Sequence, residues 1–223
     1  KEDVEGKTVL ISGSGNVATH AAEKVLQLGG KPLTLSDSGG FIECSDGLTQ
    51  EQIDWIKELK DVRRGRISEA ADEFKNIVFH EGKRPWGVAA DIAVPSATQN
   101  EVNGEDASTM IKNGIKLVAE AANMPCEQAA VDAFVEAGVS FGPAKAVNAG
   151  GVGVSGLEMS QNSARIAWDE SQLADMLQSM MKSIHDSCVE YGEESGGKVN
   201  YLQGANVAGF VKVAEAMLSY GHV

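Results

Sequence analysis

TVLISGSGNVATHAAEKVLQLGG, residues 8–30, runs an apolar stretch into a glycine-spaced turn and then into an amphipathic helical pattern. Gly13, Gly15 and Ala18 put small residues where a chain leaving a strand must bend sharply and start a helix packed close beneath it. Val17, Ala21, Val25 and Leu28 recur at helical spacing and predict the buried face of that helix, which Gly29-Gly30 ends by a left-handed exit.

Short apolar runs at 8–12, 33–37, 76–79, 90–94, 116–119 and 139–141 alternate with helical patterns. This order predicts βαβ units and an α/β fold with a doubly wound, mostly parallel sheet. Thr49 and Gln52 form a capping-box signature ahead of Ile53, Ile56 and Leu59, and Gly114 and Gly138 stand at two further helix ends. Beyond residue 142 no strand-like run follows, only helical patterns over 164–191 and 205–220, so a C-terminal helical tail is expected. In it, Leu173, Leu177, Met180 and Ile184, flanked by Met176 and Met181, read as a core stripe, and Val207, Phe210, Val211, Ala214, Met217 and Leu218 form an apolar side that needs a surface to lie on.

The formal net charge of the 223 residues is −13, which opposes nonspecific attraction to nucleic acid or anionic membranes, so an anionic ligand requires a local device such as helix-start amides or a small Lys/Arg cluster. No run approaches the roughly 20 apolar residues of a membrane span, and the opening KEDVEGK has no signal-peptide character, so a cytoplasmic protein is expected. Cys44, Cys126 and Cys188 have no metal or disulfide spacing and read as small hydrophobes. His20, His80, His185 and His222 form no nucleophilic arrangement, and the chain offers no convincing general base or metal ligand set.

Residues 13–18 spell G-x-G-x-x-A between a strand and a helix, the context in which that fingerprint holds a dinucleotide pyrophosphate in a Rossmann-like domain. Asp37 stands about where an acidic residue would meet the adenosine ribose; taken alone it favours NAD, and it is equally a residue that forms turns. KELKDVRRGR gathers Lys57, Lys60, Arg63, Arg64 and Arg66, either a helix-closing surface charge or a phosphate site.

SDSGG (36–40), PSATQNEV (95–102), VAEAANMP (118–125), GPAKAVNAGGVGVSGLEMSQN (142–162) and GANVAGFVKVAEAM (204–217) complete a pattern that resembles the cofactor-binding, C-terminal domain of hexameric bacterial and fungal NADP-dependent glutamate dehydrogenases. Ala121 departs from it, since the family usually has glycine there. The resemblance implies that Ser14, Gly15, Asn16 and Val17 hold the pyrophosphate, that Ser36 and Asp37 sit by the ribose, and that Lys60 and Arg66 meet a 2′-phosphate. It further implies that Ala97, Thr98, Asn123 and Asn148 line the nicotinamide side, and that Val152 and Ser155 meet glutamate, with Gly150, Gly151 and Gly153 letting a loop pass close to a ligand.

In that family a separate N-terminal domain carries the catalytic lysine and aspartate, and the active site is the cleft between the two domains. The sequence begins just before the first strand, so it is expected to be one domain of a larger enzyme, without a catalytic residue of its own and inactive alone. Residues 1–150 are then the dinucleotide-binding region and 151–223 its helical C-terminal region. NADP is expected over NAD, with glutamate, 2-oxoglutarate and ammonia as partners of the full enzyme and a homohexamer built through the other domain. A noncatalytic dinucleotide-binding or interaction module is the competing reading. A branched or aromatic amino-acid substrate is disfavoured, because the Ser155 hydroxyl suits a carboxylate.

Overall fold

The computed structural model describes residues 3–221. Contacts divide the chain into two compact units, one ending at Ser140 and the other beginning at Phe141.

The first unit is built on β1 (Thr8–Ile11), which pairs in parallel with β2 (Lys31–Pro32) on one side and β6 (Ile92–Val94) on the other. With β7 (Leu117–Ala119) and β8 (Ser140–Gly142) they make a five-stranded sheet of order β2-β1-β6-β7-β8, the α/β architecture expected. The crossovers are α1 (Asn16–Gln27), α2 (Gln50–Glu58), α4 (Gly104–Lys112) and α5 (Gln128–Glu136), with the short α3 (Glu69–Glu73) following α2. The Thr49/Gln52 capping box is present in full, and Gly29, Gly114 and Gly138 take positive φ at the helix exits.

The sheet differs from the expectation. The runs at 33–37 and 76–79 do not join the parallel sheet: β3 (Thr34–Asp37), an unforeseen β4 (Gly40–Glu43) and β5 (Val78–Glu81) form a separate antiparallel sheet. The cause is local, since Ser38-Gly39 makes a two-residue hairpin that turns the chain back at Asp37. Leu35 and Ile42 nevertheless share one core with Val9 and Ile11 of β1 and with Ile53 and Ile56 of α2. Each such large aliphatic contributes about 1.5–3 kcal/mol by burial.

The buried face of α1 also differs. Val17 and Leu28 are 51% and 46% exposed, while Ala18, Thr19 and Ala22 face inward, with Ala21 and Val25 at the margin of the core. Close packing on β1 selects the small residues, and Val17 is left to face the groove described below.

The second unit is helical: α6 (Ala144–Val147), α7 (Ala149–Ala164), α8 (Glu170–Gly192) and α9 (Tyr201–Tyr220). The glycines expected in a loop lie inside α7. Each costs about 1 kcal/mol of helix propensity, but a side chain on Gly153 would press on Met180, and Gly150 lies under Leu177 and Met181. The methionine stripe of α8 is therefore packing, as expected, and it packs where α7 has no side chains. At the α8/α9 contact there is no room for a Cβ on Gly204 against the Cys188 carbonyl.

Candidate dinucleotide-binding site

At the C-terminal ends of β1, β3 and β6 lies a groove of about 570 Å³. Its floor is the turn after β1: Gly13, Ser14, Gly15, Asn16 and Val17. Ser36, Asp37 and Ser38 line it from β3 and its hairpin, while Ala97 and Thr98 line it from the segment after β6. Eight of the expected residues thus converge: Ser14, Gly15, Asn16, Val17, Ser36, Asp37, Ala97 and Thr98.

Gly13 holds the two sides together. Its amide donates to Ser36 Oγ at 2.8 Å and its carbonyl accepts the Ser36 amide at 2.9 Å. With φ +83° and a would-be Cβ only 3.2 Å from the Ala97 Cα and the Ser96 carbonyl, this position requires glycine for the protein's own sake. Gly15 is different. Its φ is −85°, which any residue adopts, and a Cβ there would meet nothing within 4 Å. No internal packing accounts for glycine at this position; it keeps open the space in front of the α1 N-terminus. That end of α1 has no side-chain cap and no acidic residue in its first turn, whereas α2, α4 and α8 each close theirs with a capping box. Open space before uncapped helix-start amides fits a pyrophosphate.

Asp37 proves to be both a turn former and a groove residue. Its Oδ1 accepts the Gly39 amide at 2.8 Å, closing the hairpin, and its Oδ2 accepts the Ile67 amide at 3.0 Å. Burial works to raise the carboxyl, but the Ile67 and Gly39 amides and the Lys60 ammonium outweigh it and hold Asp37 below the usual carboxylate range. Lys60 Nζ lies 3.4 Å from Asp37 Oδ2 and donates to the Gly65 carbonyl at 2.9 Å. Arg66 Nη1 donates to Ser38 Oγ at 2.8 Å and lies 3.9 Å from Asp37 Oδ2.

The rest of the basic cluster is structural. Lys57 pairs with Glu23, Arg63 pairs with Glu58 and stacks 4.4 Å over Trp55, and Arg64 takes the left-handed position after the π-helical turn Leu59–Arg63. The cluster thus divides: two cations gather on Asp37 and Ser38, and the others serve the helix.

Asn123 is an exposed residue of the loop after β7. In the second unit, Asn148 stands between α6 and α7, Val152 is an exposed residue of α7, and the Ser155 hydroxyl, also on α7, donates to the Gly151 carbonyl at 3.2 Å.

Ser38, Lys83, Arg84, Ser96 and Glu101, which no sequence expectation includes, also line the groove. Two signals were available: an adjacent basic pair in EGKRPW of an acidic chain, and an acidic residue closing PSATQNE soon after a strand.

The cysteines are free and buried, as expected, and the described residues hold no His/Cys/Asp/Glu group suited to a metal. His20 contacts the Asn16 carbonyl, His80 pairs with Glu43, and His185 stacks on Tyr201; His222 lies outside the described residues. No described helix is long and apolar enough to cross a membrane.

The family model of Glutamate/Leucine/Phenylalanine/Valine dehydrogenase matches residues 1–221. An NAD(P)-specific glutamate dehydrogenase of Xylanibacter ruminicola is 53% identical over 220 residues, covering 99% of this chain and 49% of the relative. An NADP-specific glutamate dehydrogenase of Haemophilus influenzae is 51% identical, with 97% of this chain and 48% of the relative covered. A Bacteroides fragilis relative at 49% identity, covering 98% of this chain and 49% of its own length, is named NAD-specific. Among solved structures, Plasmodium falciparum glutamate dehydrogenase superposes with a TM-score of 0.95 at 40% identity, covering 99% of this chain and 48% of that one. The chain spans about half the length of the curated relatives it matches.

Proposed function

This chain belongs to the glutamate/leucine/phenylalanine/valine dehydrogenase family, and from that premise we propose that it is the NADP(H)-binding part of a glutamate dehydrogenase. The reaction is reversible: glutamate, water and NADP⁺ give 2-oxoglutarate, ammonium, NADPH and a proton, with the hydride leaving the glutamate α-carbon. When bound, NADP⁺ supplies the hydride acceptor at its nicotinamide ring. This chain's residues bind and orient it. The observation that carries the reading is the open space in front of Gly15 at the uncapped start of α1, in one groove with Asp37.

The Ser14–Val17 turn takes the pyrophosphate on its backbone amides. Ser36 and Asp37 face the adenosine ribose, and Lys60 and Arg66 meet the 2′-phosphate. Lys60 and Arg66 are both held beside Asp37 and Ser38, which supports NADP over NAD. Ala97, Thr98, Asn123 and Asn148 serve the nicotinamide side; amide side chains can bond a carboxamide without adding charge. Val152 and Ser155 serve glutamate, the Ser155 hydroxyl donating to its distal carboxylate. In this reading 1–150 is the dinucleotide region, 151–223 its helical continuation, and a further domain supplies the catalytic lysine and aspartate and a hexameric assembly in the cytoplasm.

Titration of the 223-residue chain with both cofactors, followed by a glutamate-dependent NADPH assay, tests this. Binding with preference for NADP⁺ and no turnover are expected. Turnover by this chain alone would overturn the division of labour, and failure to bind either cofactor would overturn the dinucleotide reading.

A further inference from the structure

Ser12 ends the run of β1, and Ser96, Ala97 and Thr98 follow β6, its parallel neighbour. One oxygen of a mostly buried carboxylate ties these two strand ends together. Glu101 Oε1 accepts the Ser12 hydroxyl at 2.9 Å, the Ala97 amide at 3.0 Å and, at a longer 3.4 Å, the Thr98 amide. Ser12 Oγ in turn accepts the Ser96 amide at 2.9 Å. Three consecutive amides are therefore oriented by one side chain, directly or through one hydroxyl. The main chain of the same residue acts too: the Glu101 carbonyl accepts Arg84 Nη1 at 2.8 Å, and Arg84 pairs with Asp106 of the α4 capping box at 2.9 Å. Arg84, Ser96, Ala97, Thr98 and Glu101 all line the groove.

Asp37 and Glu101 lie on opposite sides of β1. Asp37 ends β3, which follows β2, whereas Glu101 follows β6. A dinucleotide whose adenosine ribose meets Asp37 and whose pyrophosphate crosses the Gly15 turn must lay its other half on the Glu101 side. Resting on the dinucleotide reading above, we propose that Glu101 is a positioning residue for the nicotinamide half of the cofactor, holding the 96–98 segment as the wall of the groove.

Burial pushes the Glu101 carboxyl up, against the pull of the Ala97 amide, the Ser12 hydroxyl, the Thr98 amide and the nearby Arg84 charge. For a carboxyl raised in the fold, the ionised form detracts from stability: its favourable contribution is present in acid and is lost as pH rises through the folded-state value. The Tm of a neutral isostere and its cofactor affinity are therefore separate readouts, the first of stability and the second of positioning.

The test uses the 223-residue chain with two probes, NADP⁺ and its adenosine-side fragment 2′,5′-ADP. In Glu101→Ala, NADP⁺ binding falls at least about tenfold; Glu101→Gln, whose amide oxygen still accepts, loses roughly three- to fivefold. In both variants 2′,5′-ADP affinity stays within about twofold of wild type, and the Tm of Glu101→Gln equals or exceeds that of wild type. Unchanged NADP⁺ affinity in Glu101→Ala, or equal losses for both probes, overturns the proposal. Should Glu101→Ala not fold, Glu101→Gln decides it by the same two affinities. A wild-type chain that binds neither probe overturns the dinucleotide reading itself.

Discussion

The ammonium of Lys60 lies 3.4 Å from Oδ2 of Asp37, the same oxygen that accepts the Ile67 amide. In the sequence these two residues pull toward different cofactors, the carboxylate toward NAD and the lysine toward NADP. In the fold they meet: Asp37 lines the groove and holds the Lys60 ammonium beside it, while its carboxylate also accepts the Ile67 and Gly39 amides.

Lys60→Ala is therefore expected to weaken NADP⁺ by about tenfold or more while sparing NAD⁺, since a charge-assisted bond contributes about 1.5–3 kcal/mol. Asp37→Ala gives the sharper result. Simple repulsion predicts tighter NADP⁺ once the carboxylate is gone, whereas loss of the anchor for Lys60 and Arg66 predicts weaker binding. Calorimetric titration of the variant decides between them by the sign of the change.

Gly13 and Gly15 should separate folding from binding. Gly13→Ala forces a side chain into a left-handed backbone against Ala97 and Ser96, and should cost about 1–3 kcal/mol of stability. Gly15→Ala meets no protein atom; its Tm should move by no more than about 2 °C, yet NADP⁺ affinity should drop about tenfold. A Gly15→Ala chain that binds normally would remove the pyrophosphate from this turn.

Phe210, Met217, Leu218 and Tyr220 of α9 are 72%, 66%, 78% and 87% exposed. Contiguous exposed apolar patches larger than a few hundred Å² are uncommon on soluble monomers. This chain alone should bind a hydrophobic dye or self-associate weakly, and a Phe210→Ser/Leu218→Ser pair should reduce both. Covalent attachment of the rest of the proposed enzyme should quench the dye signal; an unchanged signal would mean that α9 is not covered by that domain.

At the opposite end of β1, Asp91 accepts the Thr8 amide and hydroxyl and pairs with Lys116 at 2.9 Å. The Thr8 amide first, then Lys116, lower its carboxyl to about 2. A depressed carboxyl contributes stability that is complete above its unfolded value and is lost as pH falls through about 2. Asp91→Asn should lower Tm at neutral pH by roughly 2–4 °C, the effect of about 1 kcal/mol in a chain of this size. The melting curves of the two proteins should converge as pH approaches 2, and a constant difference would assign the loss to packing.

Near-neighbour patterns in the chain were enough to fix the β1–turn–α1 unit, the capping box at Thr49 and the run of motifs from which the family was legible. Of the eight groove residues, the turn at 14–17 and Asp37 were legible from the strand–turn–helix fingerprint and its spacing, whereas Ser36, Ala97 and Thr98 were reached only through the family resemblance. The tertiary structure alone decided which residues of distant segments share an atom. Glu101 meets Ser12 across 89 positions, and Lys60 meets Asp37 across 23. Gly153 lies in the interior of α7 where composition suggests a loop, and Met180 of α8 occupies the space a side chain there would take. Propensity and periodicity carry information over a few residues, whereas hydrogen-bond partners and close packing are chosen when β1 and β6 lie side by side and when α8 settles on α7.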